Sequence, residues 1–427
     1  MKKVKLGEIA EITSSKRIFA SDYVSSGIPF FRGKEISQKE KGENITDLLF
    51  ISREKYEKIK SSYPVPEKGD ILLTSVGSIG IPYLVDDEEF YFKDGNLTWF
   101  RNLSDKIDSK FLYYWMLSNE FKQQVFNNKI GAVQKALTII NLQELIITLP
   151  NLSTQTVIGK VLSSLDEKIE LNNKINKELE AMAKSLYDYW FVQNADDSWK
   201  RTKINDLFKK YTDTSVRIDA KNIQKEGKYP VITQDVGDLV KGYTNEDHPI
   251  SDLPAIIFGD HSCTLRYIDF PFFRGADGTQ LMYFENKKII NYIYYCMSKL
   301  IPYLPNFGKY ERHFKYLKDF EILVPPTDLI DNFNNFVTPI FSQINFNRNE
   351  NYTLSQLRDY LLPLLMNGQV QVDDIDNKTS KKLETKKQDY YNQRFELWLE
   401  NQKLAARGNI DRQTLREIFD AMDDDDK

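Results

Sequence analysis

The chain has 427 residues, 41% hydrophobic and 28% charged, which is enough for roughly two or three domains with separate cores. No apolar run approaches the ~20 residues that cross a bilayer, and the start, MKKVKLGEIA, lacks the apolar core of a secretion signal. A cytoplasmic chain that spans no membrane is therefore expected. Cys263 and Cys296 are the only cysteines, too few for a disulfide framework or a zinc site, so free thiols are expected.

The net charge of −4 is unevenly spread. Residues 1–150 carry 21 Lys and Arg against 20 Asp and Glu, and residues 200–325 carry 19 against 16. The acidity lies in 151–199 and 326–375, so nucleic-acid binding by the other two segments is not excluded.

In chain order, residues 1–150 read as a mixed, mostly β domain. GIPFFRGKEI, PEKGDILLTSVGSIGIPYLV and EEFYFKDGNLTWF are strands broken by Gly and Pro turns. FLYYWMLSNEFKQQVF has helical spacing, and a polar glycine-containing loop leads to a last strand ending at Pro150. Trp99 and Trp115 read as core residues rather than as base-stacking platforms.

Residues 151–195 then form a long helix with apolar residues at heptad-like steps, which calls for a partner helix. Residues 196–326 repeat the first domain loosely, ending at Pro325 and Pro326, and 327–370 form a second long helix. The helical stretches align without a gap at an offset of 175: Ile158, Val161, Leu165, Asn172, Leu179 and Leu186 fall on Phe333, Phe336, Ile340, Asn347, Leu354 and Leu361. So long a period marks a duplicated half-molecule rather than a solenoid.

The expected fold is α+β: two globular mixed domains joined by two long helices in an antiparallel coiled coil with a pseudo-twofold repeat. Each rod of about 42 residues spans roughly 60 Å. Asn172 and Asn347 lie at the rod midpoints, where an antiparallel pairing brings them together to fix register. Pro339 leads us to expect the second rod to start late or kink there. Residues 371–427 read as a lysine-rich linker and a small helical tail.

The order of module, proline-terminated strand and long helix, repeated twice, resembles the DNA-specificity subunit of type I restriction–modification systems over roughly residues 1–370. Locally the resemblance rests on Lys5-Leu6-Gly7-Glu8-Ile9, on Lys68-Gly69-Asp70-Ile71-Leu72 and on the Gly131…Gln134-Lys135 loop running to Leu149-Pro150. The ending Leu361-Leu362-Pro363-Leu364-Leu365-Met366-Asn367-Gly368 belongs to it too. Asn151-Leu152-Ser153-Thr154-Gln155 departs from the family, which usually has a second proline and an acid before the glutamine.

The resemblance implies a non-catalytic targeting subunit of a bacterial defence system. Each domain would read one half of a split, asymmetric duplex DNA site, with the helices as ruler and as dock for two methyltransferase subunits. Restriction and translocase subunits would complete the complex. Adenine methylation and ATP-dependent restriction, with S-adenosylmethionine, ATP and Mg, would belong to those partners, and this chain would hold no cofactor. The residues agree. Val324-Pro325-Pro326-Thr327 is not an amino-methyltransferase motif, no G-x-x-x-x-G-K-[ST] loop is present, and His248, His261 and His313 lack metal-ligand spacing with the cysteines.

Base edges are read by Arg, Lys, Asn and Gln, with Ser and Thr adaptable, and phosphates by cations and hydroxyls. The candidate contacts in the first domain are Arg32, Lys34, Thr74, Ser75, Ser78, Gln134 and Lys135. In the second they are Gln234, Arg266, Arg274, Arg312 and His313. The competing reading is a duplicated protein-binding scaffold without DNA recognition.

Overall fold

A computed structural model describes residues 2–40, 42, 45, 47–129, 137–209, 215–237, 239–275, 278–305 and 312–369. It divides into two compact units, Met1–Glu170 with Asn351–Lys427, and Leu171–Glu350. Both unit borders fall inside the long helices, so each unit holds one globular domain and part of each rod.

One antiparallel strand pair closes each domain. Lys2–Lys5 pairs with Ile146–Leu149, and Lys200–Lys203 pairs with Glu321–Val324. The chain thus enters and leaves each domain side by side. A proline then stops the ladder, because it has no N–H to give, and the rod begins.

Between these strands the two domains share a topology. In the first, one sheet has the order Glu11–Thr13, Leu97–Arg101, Ile71–Thr74, Pro82–Leu84. Its counterpart in the second domain is Thr279–Met282, Ala255–Gly259, Leu265–Ile268, and the missing first strand is reduced to a bridge between Phe208 and Phe284. The other sheet keeps a parallel pair in both domains: Ile28–Phe31 with Tyr91–Phe92, and Tyr229–Ile232 with Phe273–Gly275. The main insertion is in the first domain, where helices Gly33–Glu40 and Arg53–Lys60 follow Ile28–Phe31. In the second, residues 233–241 link Tyr229–Ile232 directly to Gly242–Thr244.

The stretch FLYYWMLSNEFKQQVF forms two helices, Ser109–Leu117 and Asn119–Lys129. Ser118 separates them in an extended conformation, and its hydroxyl accepts the Phe121 N–H at 3.3 Å, so it ends one helix and caps the next. Part of the expected loop is also helical: Ile139–Gln143, capped by Thr138. Trp99 and Trp115 are buried, as the sequence suggested, and both cysteines are free.

The first rod is Leu152–Asp188, continued by a π-helical turn Tyr189–Gln193. Asn151 caps it by accepting the Thr154 N–H at 2.8 Å. Gln155, fully buried, accepts the Asp108 N–H and donates to the Lys106 and Pro150 carbonyls, which welds the rod to its domain. Ile158 and Leu162 join the first domain's core together with Leu365 and Met366 of the second rod. The second rod, Thr327–Met366, is one helix. Of the two outcomes expected at Pro339, a late start or a kink, the late start is not found. A proline forfeits one backbone bond, but Val337, Ile340, Phe341 and Ile344 around it are buried, and that packing holds the turn.

The rods run antiparallel: in the second unit Asn172 bonds Glu350 and Asn176 bonds Asn347. The buried line follows Asn172, Ile175, Asn176, Leu179, Ala183 and Tyr187, so beyond Leu179 it falls at 183 and 187 rather than at the heptad positions 182 and 186. That drift is the 3.6-residue period of a straight helix, whose stripe turns to face a domain as well as the other rod. Asn172 and Asn347 are both buried, but each bonds a different partner rather than the other. A one-turn stagger of the polar residues explains it: Asn176 meets Asn347, and Asn172 meets Glu350.

Candidate nucleic-acid interface

Two hairpins occupy the same place in the two domains. In the first, Ile71–Thr74 turns into Pro82–Leu84, and in the second Ala255–Gly259 turns into Leu265–Ile268. Gly77 and Gly80 take φ of +77° and +90° in the first turn, a region that costs glycine nothing. In the second turn Cys263 carries the positive φ, +56°. These tips expose Ser78 and His261, and leave Ser262 half-exposed.

The side chains behind the tips hold the turns. Thr74 is buried: its hydroxyl donates to the Ser78 carbonyl and accepts the Ile81 N–H at 2.9 Å. Ser75 is buried against Thr98, with 2.5 Å between the hydroxyl oxygens. These two residues were expected at the DNA surface. They face inward instead: Thr74 ends a fully buried four-residue strand, and Ser75, the next residue, is buried as well. Ser78 is the member of that trio that faces solvent.

Arg32 was also expected to reach outward. Its Nε lies 3.1 Å from both carboxylate oxygens of Glu35, whose side chain is fully buried, and its backbone N–H donates to the same carboxylate at 2.8 Å. Burial pushes the Glu35 carboxyl up, but the Arg32 bonds outweigh it and hold the group below its usual range. Arg32 is thereby committed to its own domain. Lys34, on the same helix, is exposed and 3.4 Å from Asp47.

In the second domain Gln234 lies against the hairpin: its side-chain oxygen accepts the His261 N–H at 3.1 Å, and its carbonyl accepts the Thr264 hydroxyl at 3.0 Å. A side chain at Gly259 or Gly278 would collide with Gln234, so both glycines make room for it. Arg266 donates to the Asp235 and Gly237 carbonyls, at 3.0 and 2.8 Å, and so pins the connection 233–241. The Lys241 ammonium, 2.8 Å from Asp235, holds that carboxyl below its usual range.

Arg274 and His313, predicted as contacts, are buried. Arg274 reaches the Thr279 carbonyl at 3.4 Å, and His313 Nδ1 lies 3.0 Å from the Asp260 carbonyl. The Asp260 carboxylate accepts the Phe314 N–H at 2.9 Å and the Gln280 amide at 3.2 Å, so His313 belongs to an internal brace. Arg312 beside it is exposed. Gln134 and Lys135 lie outside the described residues.

The structure thus brings Gln234, Arg266 and the tip residues His261 and Ser262 to one end of the second domain, with Ser78 at the equivalent tip of the first. His261 and Ser262 were not among the predicted contacts. The signal for them was present: GDHSCTL in the second half aligns with LTSVGSIG, the stretch that holds Thr74, Ser75 and Ser78. Among the described residues no group of His, Cys, Asp and Glu could hold a metal ion, and no helix is long and apolar enough to cross a membrane.

A duplicated globular module, carried on paired helices and ending in polar hairpin tips, is the class that the fold defines. Residues 1–181 match the type I restriction modification DNA specificity domain. The chain is 26% identical over 425 residues to the type I restriction enzyme MjaIX specificity subunit of Methanocaldococcus jannaschii, covering 88% of this chain and 94% of that one. The MjaVIII specificity subunit of the same organism is 28% identical over 190 residues, 43% of each chain. The fold is similar to the crystal structure of a type I restriction–modification S subunit from M. genitalium, with a TM-score of 0.55 at 20% identity over 85% of this chain and 95% of that one. The chain is thus similar, in its first 181 residues and along most of its length, to specificity subunits of type I restriction–modification systems.

Proposed function

We propose that the chain is the DNA-targeting subunit of a type I modification and restriction complex, and that each domain reads one half of a split, asymmetric duplex site. The observation that carries this reading is the duplication: two domains of one topology, each closed by the same strand pair, each presenting an equivalent hairpin tip with different residues. Stiff helices between two readers address half-sites about one helical turn apart and leave the bases between them unread. Two methyltransferase subunits dock on the helical rods, and restriction and translocase subunits join them in the cytoplasm. Methylation with S-adenosylmethionine and cleavage with ATP and Mg are their chemistry, and this chain contributes no catalytic group.

Methylome sequencing of a host with and without the chain tests the reading, since one split motif should vanish with it. Exchanging residues 200–325 for those of another such subunit should change one half-site alone. Removing one heptad from the first rod should change the spacing and keep both half-sites. A change in both half-sites in either experiment refutes the modular reading. The scaffold alternative predicts a methylome unaltered by the deletion.

A further inference from the structure

The helices Ser109–Leu117 and Ile290–Leu300 carry matching tyrosine pairs. Aligning Phe111–Met116 with Tyr292–Met297 sets Tyr113 and Tyr114 against Tyr294 and Tyr295. The geometry matches as well: ring centroids 5.0 Å apart at 76° in the first pair, and 5.2 Å at 73° in the second. The hydroxyls have different fates. Tyr113 donates to Glu40 at 2.8 Å, and Tyr114 donates to Asp166 at 2.6 Å. Among the described residues the hydroxyls of Tyr294, Tyr295 and the neighbouring Tyr267 have no hydrogen-bond acceptor.

The missing acceptors have a structural cause. Glu40 is the last residue of the helix Gly33–Glu40, and the connection 233–241 has no such helix among its described residues. At the repeat position of Asp166 stands Phe341, stacked on Tyr267 at 4.1 Å. In place of an acidic helix end the second domain has a cleft of about 920 Å³, floored by these aromatic rings. That volume is too large for a single ion and lies in the range of ligand-sized sites. Its rim bears Lys184, Arg266, Lys299 and Arg348 against one acid, Glu180. Arg348 pairs with Glu180 at 3.0 Å, and Lys299 with Asp188. Lys184 is exposed and ion-pairs with no described residue. Aromatic walls, tyrosine hydroxyls open to solvent and a cationic rim with Lys184 outside any described ion pair match one kind of occupant.

We propose that this cleft docks an acidic helical segment of another protein, which supplies to Tyr294 in trans the carboxylate that Glu40 supplies to Tyr113 within the first domain. A helix end fits because the chain itself solves the equivalent problem with one. The rim cations select an acidic segment over a basic one.

The test uses the full chain and a fluorescein-labelled, helix-stapled peptide of the Phe31–Glu40 sequence in which both lysines are replaced by glutamate. Fluorescence anisotropy should show saturable binding. The affinity should fall about tenfold in Lys184→Glu, a surface change that leaves the fold intact, and several-fold in Tyr294→Phe. A peptide with its final glutamate changed to glutamine should bind several-fold more weakly to the native chain and with no further loss to Tyr294→Phe. Absence of saturation up to about 1 mM peptide, or equal binding by Lys184→Glu, overturns the proposal. A duplex DNA whose own binding is lost in Lys184→Glu would assign the cleft to nucleic acid and overturn it equally.

Discussion

The two domains fasten to their rods through the same tyrosine pair and opposite chemistry. In the first domain the seam is polar. Tyr113 bonds Glu40, Tyr114 bonds Asp166, and Arg358 of the second rod closes the chain of bonds on Asp166 at 2.7 Å. In the second domain the seam is aromatic: Phe341 stacks on Tyr267, and Tyr187, Phe191 and Phe333 pack around Tyr292 and one another. One turn away the contrast is reversed, with close packing in the first domain and hydrogen bonds in the second. Gly159 brings the first rod so close to the helix Ser109–Leu117 that an added Cβ would lie 2.9 Å from the Lys110 Cβ. Its repeat partner, Asn334, bonds Asn291 at 2.9 Å and the Lys288 carbonyl at 2.7 Å. A duplicated scaffold therefore constrains where a contact falls and leaves its chemistry open.

The contrast can be broken from either side. The largest effect is expected from Phe341→Ala, which removes a buried ring and its stack. A loss of about 3 kcal/mol is expected, read as urea unfolding of the second unit with the first unit's hydrogen exchange unchanged. If both units weaken equally, the seams are not independent.

The polar seam should respond to pH instead. Burial raises the Glu40 carboxyl from 4.5 to about 7, with the Tyr113 bond opposing, the Asp166 charge adding and Arg358 opposing. The folded chain thus keeps a proton that the unfolded chain releases near pH 4.5. This group's unfavourable contribution is absent below that pH, grows as pH rises, and is complete above about 7. Glu40→Gln keeps an acceptor for Tyr113 and removes the charge. It should gain about 2 kcal/mol over the native chain at pH 8 and nothing at pH 4.5. A pH-independent difference between the two denaturation curves would rule this account out.

Between the rods, Asn347→Leu strands Asn176 and Gln343, which now bond Asn347 at 2.9 and 2.8 Å. A loss of about 2 kcal/mol is expected, most of it recovered when Asn176→Leu is added. A double-mutant cycle measures the recovery, and strict additivity would count against the pairing. Smallest are the paired changes one turn from the tyrosines. Gly159→Ala should destabilise the first unit by about 1 kcal/mol, the clash exceeding the gain in helix propensity. Asn334→Ala should cost the second unit about 1 kcal/mol in lost hydrogen bonds. A stabilised Gly159→Ala would show that the close approach relaxes freely.

Much of the architecture was legible in the chain. A gapless offset of 175 residues and prolines at 150, 325 and 326 announced two domains and two rods, because period and punctuation are local properties of sequence. The candidate surface was legible only in part. Polar residue types in the loops suggested Thr74, Ser75, Arg274 and His313, but composition cannot tell a side chain that braces a turn from one that faces a ligand. Ser78 and Thr74 are equally polar and four residues apart, and only the strand's register buries one and exposes the other. Pro339 shows the opposite failure, a local signal for a late helix start overruled by buried neighbours.

Sequence by itself determined the repeat, the rods and the polar residues at their midpoints, since each follows from the order of residue types along one dimension. Tertiary structure decided the partners: Asn172 with Glu350 rather than Asn347, Glu40 against Tyr113, and an open cleft at Tyr294. Those outcomes depend on which turns of helix and which loop lengths meet in space. A one-turn stagger or a missing eight-residue helix changes them while leaving the repeat intact.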